Sequence, residues 1–372
     1  MFKPFMLSMR AALLAMILLG LSACAGATPV PPPSAPTAAG PVVTSKALNL
    51  YAWAGGIPQA LLDEFGKEYN LTVNYDAYES NEELLAKLQV GAKDYDVILP
   101  QDYLVSILIA QNMLEPIDLR QIPDFANVDD QFQNPAYDPG NKYTVPYQWG
   151  TFGIAVNTAK VTKPITRFAD LWDPAFKNKL VLLDDQRINI GMALLVLGYD
   201  YNSTDPAQLE AAKKKFIALT PNIKLYDSNS PKTALLSGEA VAGVMWNSEA
   251  ALAHEENPNI NYILPEEGGL LWYDNFAIPK GAPHKDAAMA FLNFVLRPEM
   301  SILITKTYPN SSPNKATLEL LKTSDPEFYQ RYMAFSATNP PADAIKRGHR
   351  SKDVGEATRL YDRIWTEVKA GQ

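Results

Sequence analysis

Between residues 47 and 219, short apolar or alternating runs take turns with segments whose apolar residues recur every three to four positions. This alternation constrains the fold more than any other feature of the chain. Strand followed by helix builds a largely parallel sheet with helices on its faces. The run Ala47–Trp53 (ALNLYAW) alternates like a strand, and from about Pro58 a helix puts Leu61, Leu62, Phe65 and Tyr69 on one face. Residues 71–75 read as the next strand. Ser80 followed by Glu83 spells a capping box, opening a helix with Leu84, Leu85 and Leu88 that stops near Gly91. Residues 95–100 read as a short buried strand and 103–112 as a helix.

A second run of the same kind follows residues 143–149. Residues 153–157 read as a strand leaving the first half, 180–184 as a strand, and 189–197 as an apolar helix closed by Gly198. Asp205 and Pro206 open a helix with Leu209, Ala212, Phe216 and Leu219 facing inward. Residues 240–246 form another buried strand, and 276–279 are expected to cross back. The body from residue 47 onward holds roughly 325 residues, more than one core usually serves, so two lobes are expected.

Composition narrows the function. The chain is 47% apolar and 20% charged, as a globular protein is, with a net charge of −8. An acidic chain of this kind makes a poor nucleic-acid partner and suits a cationic ligand. The three histidines, His254, His284 and His349, stand far apart and outside any metal-ligand spacing, and no phosphate-binding or nucleophile motif is present. No catalytic residue, metal or cofactor is therefore expected. Trp149 divides evenly between core and site, Trp172 reads as core, Tyr51 and Tyr95 as packing residues, and Glu82 and Glu83 as capping or solvated charges.

The N-terminus carries an export signal. Residues 1–10 are basic, 11–21 apolar and too short to span a bilayer, and Cys24, the single cysteine, follows Leu21, Ser22 and Ala23. That tetrapeptide resembles the lipobox of bacterial lipoproteins, which implies cleavage after residue 23, lipid on Cys24 and attachment to a membrane. Residues 24–46 are rich in Pro, Ala and Thr and read as an extended linker.

Ligands of doubly wound sheets bind beyond the carboxyl ends of strands. Here those ends carry aromatics and acids: Trp53, residues 100–103, Asp184 and Asp185, Trp246 with Glu249, and Trp272 with Asp274. A polyamine needs this set. Each ammonium requires a carboxylate or carbonyl, because an unpaired buried charge is costly. Each methylene stretch packs on a flat apolar wall, and an ammonium over an indole face gains about 0.5–2 kcal/mol. Two alternatives stay open: a receptor for another small organic cation or solute, and a secreted hydrolase working through Asp184 and Asp185.

Over nearly the whole body the chain resembles the spermidine/putrescine-binding proteins of bacterial ABC importers. The resemblance rests on residues 50–53 (YAW preceded by Leu), 78–82, 94–100, 145–150, 168–172, 244–247, 265–274, 291–298 and 353–355, in that order. It implies a two-lobed periplasmic-binding-protein fold, each lobe a mainly parallel sheet flanked by helices, with the ligand between them. Lobe 1 is expected to comprise residues 47–156 and 277–325, and lobe 2 residues 157–276 and 326–372. It further implies a monomer outside the cytoplasm that delivers a polyamine to permease subunits. The family's aromatic walls match Trp53, Tyr103, Trp246 and Trp272, its central acid Asp274 and its end acid Asp185. The chain departs from the pattern at Ala54, Gly55, Gly56, Ile188 and Ser351, and gains Glu249, an acid that putrescine-preferring members share. These changes lead us to expect putrescine to bind at least as well as spermidine, with Glu249 and Asp274 taking its two ends.

Overall fold

A computed structural model describes residues 42–91 and 93–371. The export signal, Cys24 and the linker as far as residue 41 lie outside the described residues. Ten strands form one sheet among them: β1 Ala47–Trp53, β2 Thr72–Tyr78, β3 Val97–Ile98, β4 Thr144–Asn157, β5 Leu180–Leu182, β6 Ile223–Tyr226, β7 Ala242–Trp246, β8 Ile260–Ile263, β9 Leu270–Ala277 and β10 His349–Arg350. The order across the sheet is β2-β1-β3-β9-β4-β7-β5-β6, with β10 added to β9 and β8 to β4.

The two flanks obey the strand–helix rule: β1 runs parallel to β2 and β3, and β5 runs parallel to β6 and β7. The middle does not. β9 is antiparallel to β3 and to β4, and β4 is antiparallel to β7. The sequence reading starts a strand at residue 153, whereas β4 begins at Thr144 and is buried along all 14 residues. A strand buried on both faces has no alternation to read, and Pro146 with Gly150 masks it further.

Two large cores lie beside this central pair. One takes Phe152, Ile154 and Val156 of β4 with Leu270 and Trp272 of β9, and reaches Tyr361, Ile364 and Val368 in the C-terminal helix. The other takes Val145, Tyr147 and Trp149 of β4 with Leu271, Tyr273 and Phe276 of β9, and reaches Phe65, Phe291 and Phe294. Alternate residues of β9 thus serve different cores, as the two-residue period of a strand requires. Trp149 falls in the second core, stacked on Tyr273 at 5.8 Å. Tyr51 and Tyr95 stack at 4.6 Å in a smaller core, and Trp172 donates its N–H to Lys215 O at 2.9 Å.

The body is tied down before residue 47. Asp286 accepts hydrogen bonds from the backbone N–H and the hydroxyl of both Thr44 and Ser45. No single helix among the described residues is long and apolar enough to cross a membrane.

Candidate functional site

The sheet topology brings strand ends together. β3 runs toward Gln101, whose backbone bridges Asp274 on β9. β7 runs the opposite way and ends with Trp246 opposite Phe152, which itself pairs with Leu270. The carboxyl ends of the two parallel flanks therefore meet from opposite sides over the middle of β9, where Trp272 and Asp274 sit.

Gly150 makes this crossing possible. It pairs with Trp272, and a Cβ there would lie 2.6 Å from the indole and 2.1 Å from Asn247 Oδ1. Backbone without a side chain is the only occupant that fits. Trp272 is 5% exposed and stands edge-on to Trp246 at 6.0 Å. Trp246 leans on Phe152 at 4.3 Å and donates its N–H to Ser228 O at 3.2 Å. On the other flank Trp53 packs against Tyr78 at 4.7 Å. The turn after Trp53 is tight: Gly55 has φ +66°, Gly56 N–H donates to Trp53 O at 2.8 Å, and Tyr147 OH donates to Gly56 O at 2.8 Å.

Asp274 is the electrostatic centre. Burial holds its carboxyl well above the usual range, the charge of Asp102 raises it further, and the Trp53 indole N–H beside it pulls weakly the other way. No well-formed hydrogen bond joins them: Asp274 Oδ1 and Trp53 Nε1 are shut off from solvent and without partners among the described residues, as is Trp272 Nε1. Asp102, 5% exposed, is pushed up to about 7 by burial, with Arg350 opposing.

A second acidic group lies at the far flank. Asp185 is the N-cap of the helix Gln186–Val196, its Oδ1 accepting from Ile188 N–H at 2.9 Å. Burial pushes it up to about 6; the Ile188 bond opposes this, and the charge of Glu82 adds to the rise. Tyr103 donates to Glu82 Oε1 at 3.1 Å, and burial with the charges of Glu82 and Asp185 keeps its phenol protonated. The sequence reading left Glu82 as a solvated charge. Ser80 Oγ caps Glu83 N–H and Glu83 Oε2 reaches Glu79 N–H, so Glu83 alone is spent on the helix start. Glu82, one step round the helix, is free to face Tyr103. Which of two adjacent acids takes the cap was the one available signal.

Ile188 is 4% exposed and belongs to the core. Ser351 lies 3.3 Å from Tyr201 OH. Glu249 is half-buried with Oε2 unpartnered, and burial raises its carboxyl. The charges acting on it are those of Lys232, Asp227 and Glu256, whereas the charge acting on Asp274 is that of Asp102. Glu249 thus sits toward the 227–232 loop.

The acids of the hydrolase alternative are separated in role. Asp184 is half-exposed and pairs with Lys369 at 3.2 Å, while Asp185 caps a helix. Each histidine holds a structural partner: His254 Nδ1 to Ile260 O, His284 to Asp96, His349 Nε2 to Glu267 O. Among the described residues no cluster of His, Cys, Asp and Glu is placed to hold a metal.

The family model for bacterial extracellular solute-binding proteins matches residues 60–337, and the chain belongs to that family. Within it, the chain is 37% identical to the spermidine/putrescine-binding periplasmic protein of Escherichia coli (strain K12), over 87% of this chain and 92% of that one. Among solved structures it is similar to a putative spermidine/putrescine ABC transporter protein from Listeria monocytogenes, with a TM-score of 0.82 and 31% identity over 88% of this chain and all of that one. It is also similar to a lipoprotein of Treponema pallidum, with a TM-score of 0.75 and 30% identity over 87% of this chain and 99% of that one.

Proposed function

We propose that this protein is an extracytoplasmic receptor that captures a polyamine, putrescine or spermidine, and hands it to an ABC permease. Asp274 carries the reading: a desolvated carboxylate with a free oxygen, beside Trp53 and two residues from Trp272. An ammonium supplies the missing partner, and the indoles supply walls for the methylenes. Asp185 with Glu82 and Tyr103 offers a second seat, and Glu249 a third. Residues 47–156 with 277–325, and 157–276 with 326–372, act as lobes that close on the ligand, flexing where β4 and β9 pass between the two cores. Lipid on Cys24 tethers the receptor. The ligands for which the relatives are named, and their periplasmic location, support this assignment. Binding alone accounts for every group in the site, and no catalytic step is assigned.

The test is a thermal-shift panel with putrescine, spermidine, spermine, amino acids and divalent metals. A ligand at 100 times its Kd adds about 2.7 kcal/mol to stability. Shifts confined to polyamines support the reading. Shifts from another cation alone favour the alternative receptor.

A further inference from the structure

Asn247 is absent from the residues expected to line the site, yet its fully buried amide stands between the two indoles of β7 and β9 and the backbone around them. β7 ends at Trp246 and the helix Asn247–Glu256 begins at the next residue, so no loop separates the indole from the amide. Asn247 Oδ1 accepts from Thr151 N–H on β4 at 3.3 Å, and Nδ2 donates to Ala337 O at 2.9 Å. Gly150, with no side chain, leaves a space that Asn247 Oδ1 and Trp272 Cζ2 both enter, each closer than a Cβ there would allow. The amide and the Trp272 indole are therefore neighbours. Their contact is packing, since Trp272 Nε1 has no hydrogen-bond partner among the described residues.

A primary amide suits this place because it accepts at one end and donates at the other. The groups it meets are a backbone N–H of β4 and a backbone carbonyl 90 residues further along the chain. An apolar side chain of equal volume would leave both unmet in the interior. Alanine would in addition open a void against the indole, and the lining of a void is free to shift. Both indoles feel the loss. Trp246 keeps its own bond to Ser228 O, but its helix is no longer fastened to β4 through the amide. The Trp272 indole has no hydrogen bond of its own, so packing alone sets its place. Asn222 is a useful contrast. It is 5% exposed and its Nδ2 donates to Leu171 O and Asp173 O at 2.8 and 3.0 Å, so it too is a buried amide bridging backbone, but its bonds go to residues with no assigned place in the site.

We propose that Asn247 is a positioning residue: by filling the space over Gly150 and joining β4 to the backbone at Ala337, it holds the Trp246 and Trp272 indoles where the methylenes of a bound polyamine pack. The inference rests on the polyamine reading of the site. Asn247 is itself shut off from solvent, so it acts through the two indoles and not by touching the ligand.

The experiment is titration calorimetry of putrescine and spermidine on the full protein and on Asn247→Ala, Asn247→Leu and Asn222→Ala, below the melting temperature of each, with the change in tryptophan fluorescence on adding ligand as a second readout. Asn247→Ala is expected to weaken both amines at least about tenfold, the scale of a buried polar group left unmet, and to shrink the fluorescence change. Asn247→Leu keeps the bulk and drops both hydrogen bonds; it serves should the alanine variant fold poorly, and is expected to weaken both amines at least about threefold. Asn222→Ala is expected to lower the melting temperature and to leave both affinities within about twofold of wild type. Affinities within about twofold of wild type in both Asn247 variants overturn the inference whatever the melting temperatures do, because Asn247 is then a structural amide like Asn222. An affinity loss in Asn222→Ala equal to that in Asn247→Ala overturns it as well. A wild type that binds neither amine overturns the polyamine reading and this inference with it, whereas a wild type that binds both, with Asn247 variants that bind as tightly, overturns this inference alone.

Discussion

Asp138 and Asp274 present closed-off carboxylate oxygens in different parts of the protein, and the fold meets them in opposite ways. Asp138, 1% exposed, accepts from the backbone of Lys142 and Tyr143 and from the Thr144 hydroxyl. Asp96, fully buried, is likewise served by Asn49 N–H, His284 N–H and the His284 ring. At Asp286 burial pushes the carboxyl up, but the bonds from Ser45 and Thr44 outweigh it and leave it well below the usual range. Asp274 and Glu249, by contrast, each keep an oxygen without a partner, and their carboxyls are raised. Folding supplies donors to Asp138, Asp96 and Asp286 and leaves Asp274 Oδ1 and Glu249 Oε2 without one. A buried carboxylate costs stability unless something pairs with it, so the proposed ligand has its place at these unmet oxygens.

The contrast can be broken most sharply at Asp138. Asp138→Ala strands two backbone N–H groups and a hydroxyl, each worth about 1–3 kcal/mol when left unmet. Chemical denaturation should show a loss of about 3 kcal/mol or more; a loss under about 1 kcal/mol would erase the distinction between the two sets of acids.

The next effect is on pH. In the ligand-free protein Asp185 is raised to about 6 and Asp102 to about 7, from an ordinary 3.8. A raised folded-state pKa means a contribution to stability that is complete below the unfolded value and is lost as pH climbs through the folded one. These two groups should therefore destabilise the ligand-free protein progressively between about pH 4 and 7. Binding of a cation runs the other way, because it needs the ionised forms. Calorimetry in buffers of different ionisation heat should find protons released near pH 6–7, and affinity falling about tenfold per unit per group below that. Affinity flat from pH 5 to 8 would contradict the assignment.

The smallest expected effect is at Glu82. It is solvent-exposed, where ion pairs contribute about 0.2–1 kcal/mol, so Glu82→Gln should weaken polyamine binding by up to about fivefold without changing the melting temperature of the ligand-free protein. A variant that loses stability instead would make Glu82 a helix-capping residue only.

Much of this was legible in the sequence where neighbours in the chain are neighbours in space. The run from β1 through the helix Asp102–Ala110 follows its periodicity, and the Asp205 cap and the inward face of the helix Pro206–Ile217 fall where spacing puts them. What escaped depends on contacts between distant residues. The antiparallel pairing of Gly150 with Trp272 has no local signature, and the short strands β6 and β8 carry too few residues to show a period. Trp53, Tyr103, Asp185, Trp246, Trp272 and Asp274 could be singled out as aromatics and acids at strand ends. The two-residue strand His349–Arg350, which joins β9 from the far end of the chain, could not be read at all.

The central claim is that Asp274 is left unpaired in order to receive an ammonium, and Asp274→Asn tests it directly because it keeps the shape and removes the charge. The measurement is the melting temperature of wild type and variant at pH 8, each with and without saturating putrescine or spermidine. Without ligand the variant should melt at or above the wild-type temperature, since folding no longer has to hold a buried acid well above its usual range. With ligand it should lose most of the wild-type shift, in step with an affinity loss of about 2–5 kcal/mol. A variant that is less stable without ligand and keeps the full polyamine shift would show Asp274 to be a structural acid like Asp138, and would contradict the account.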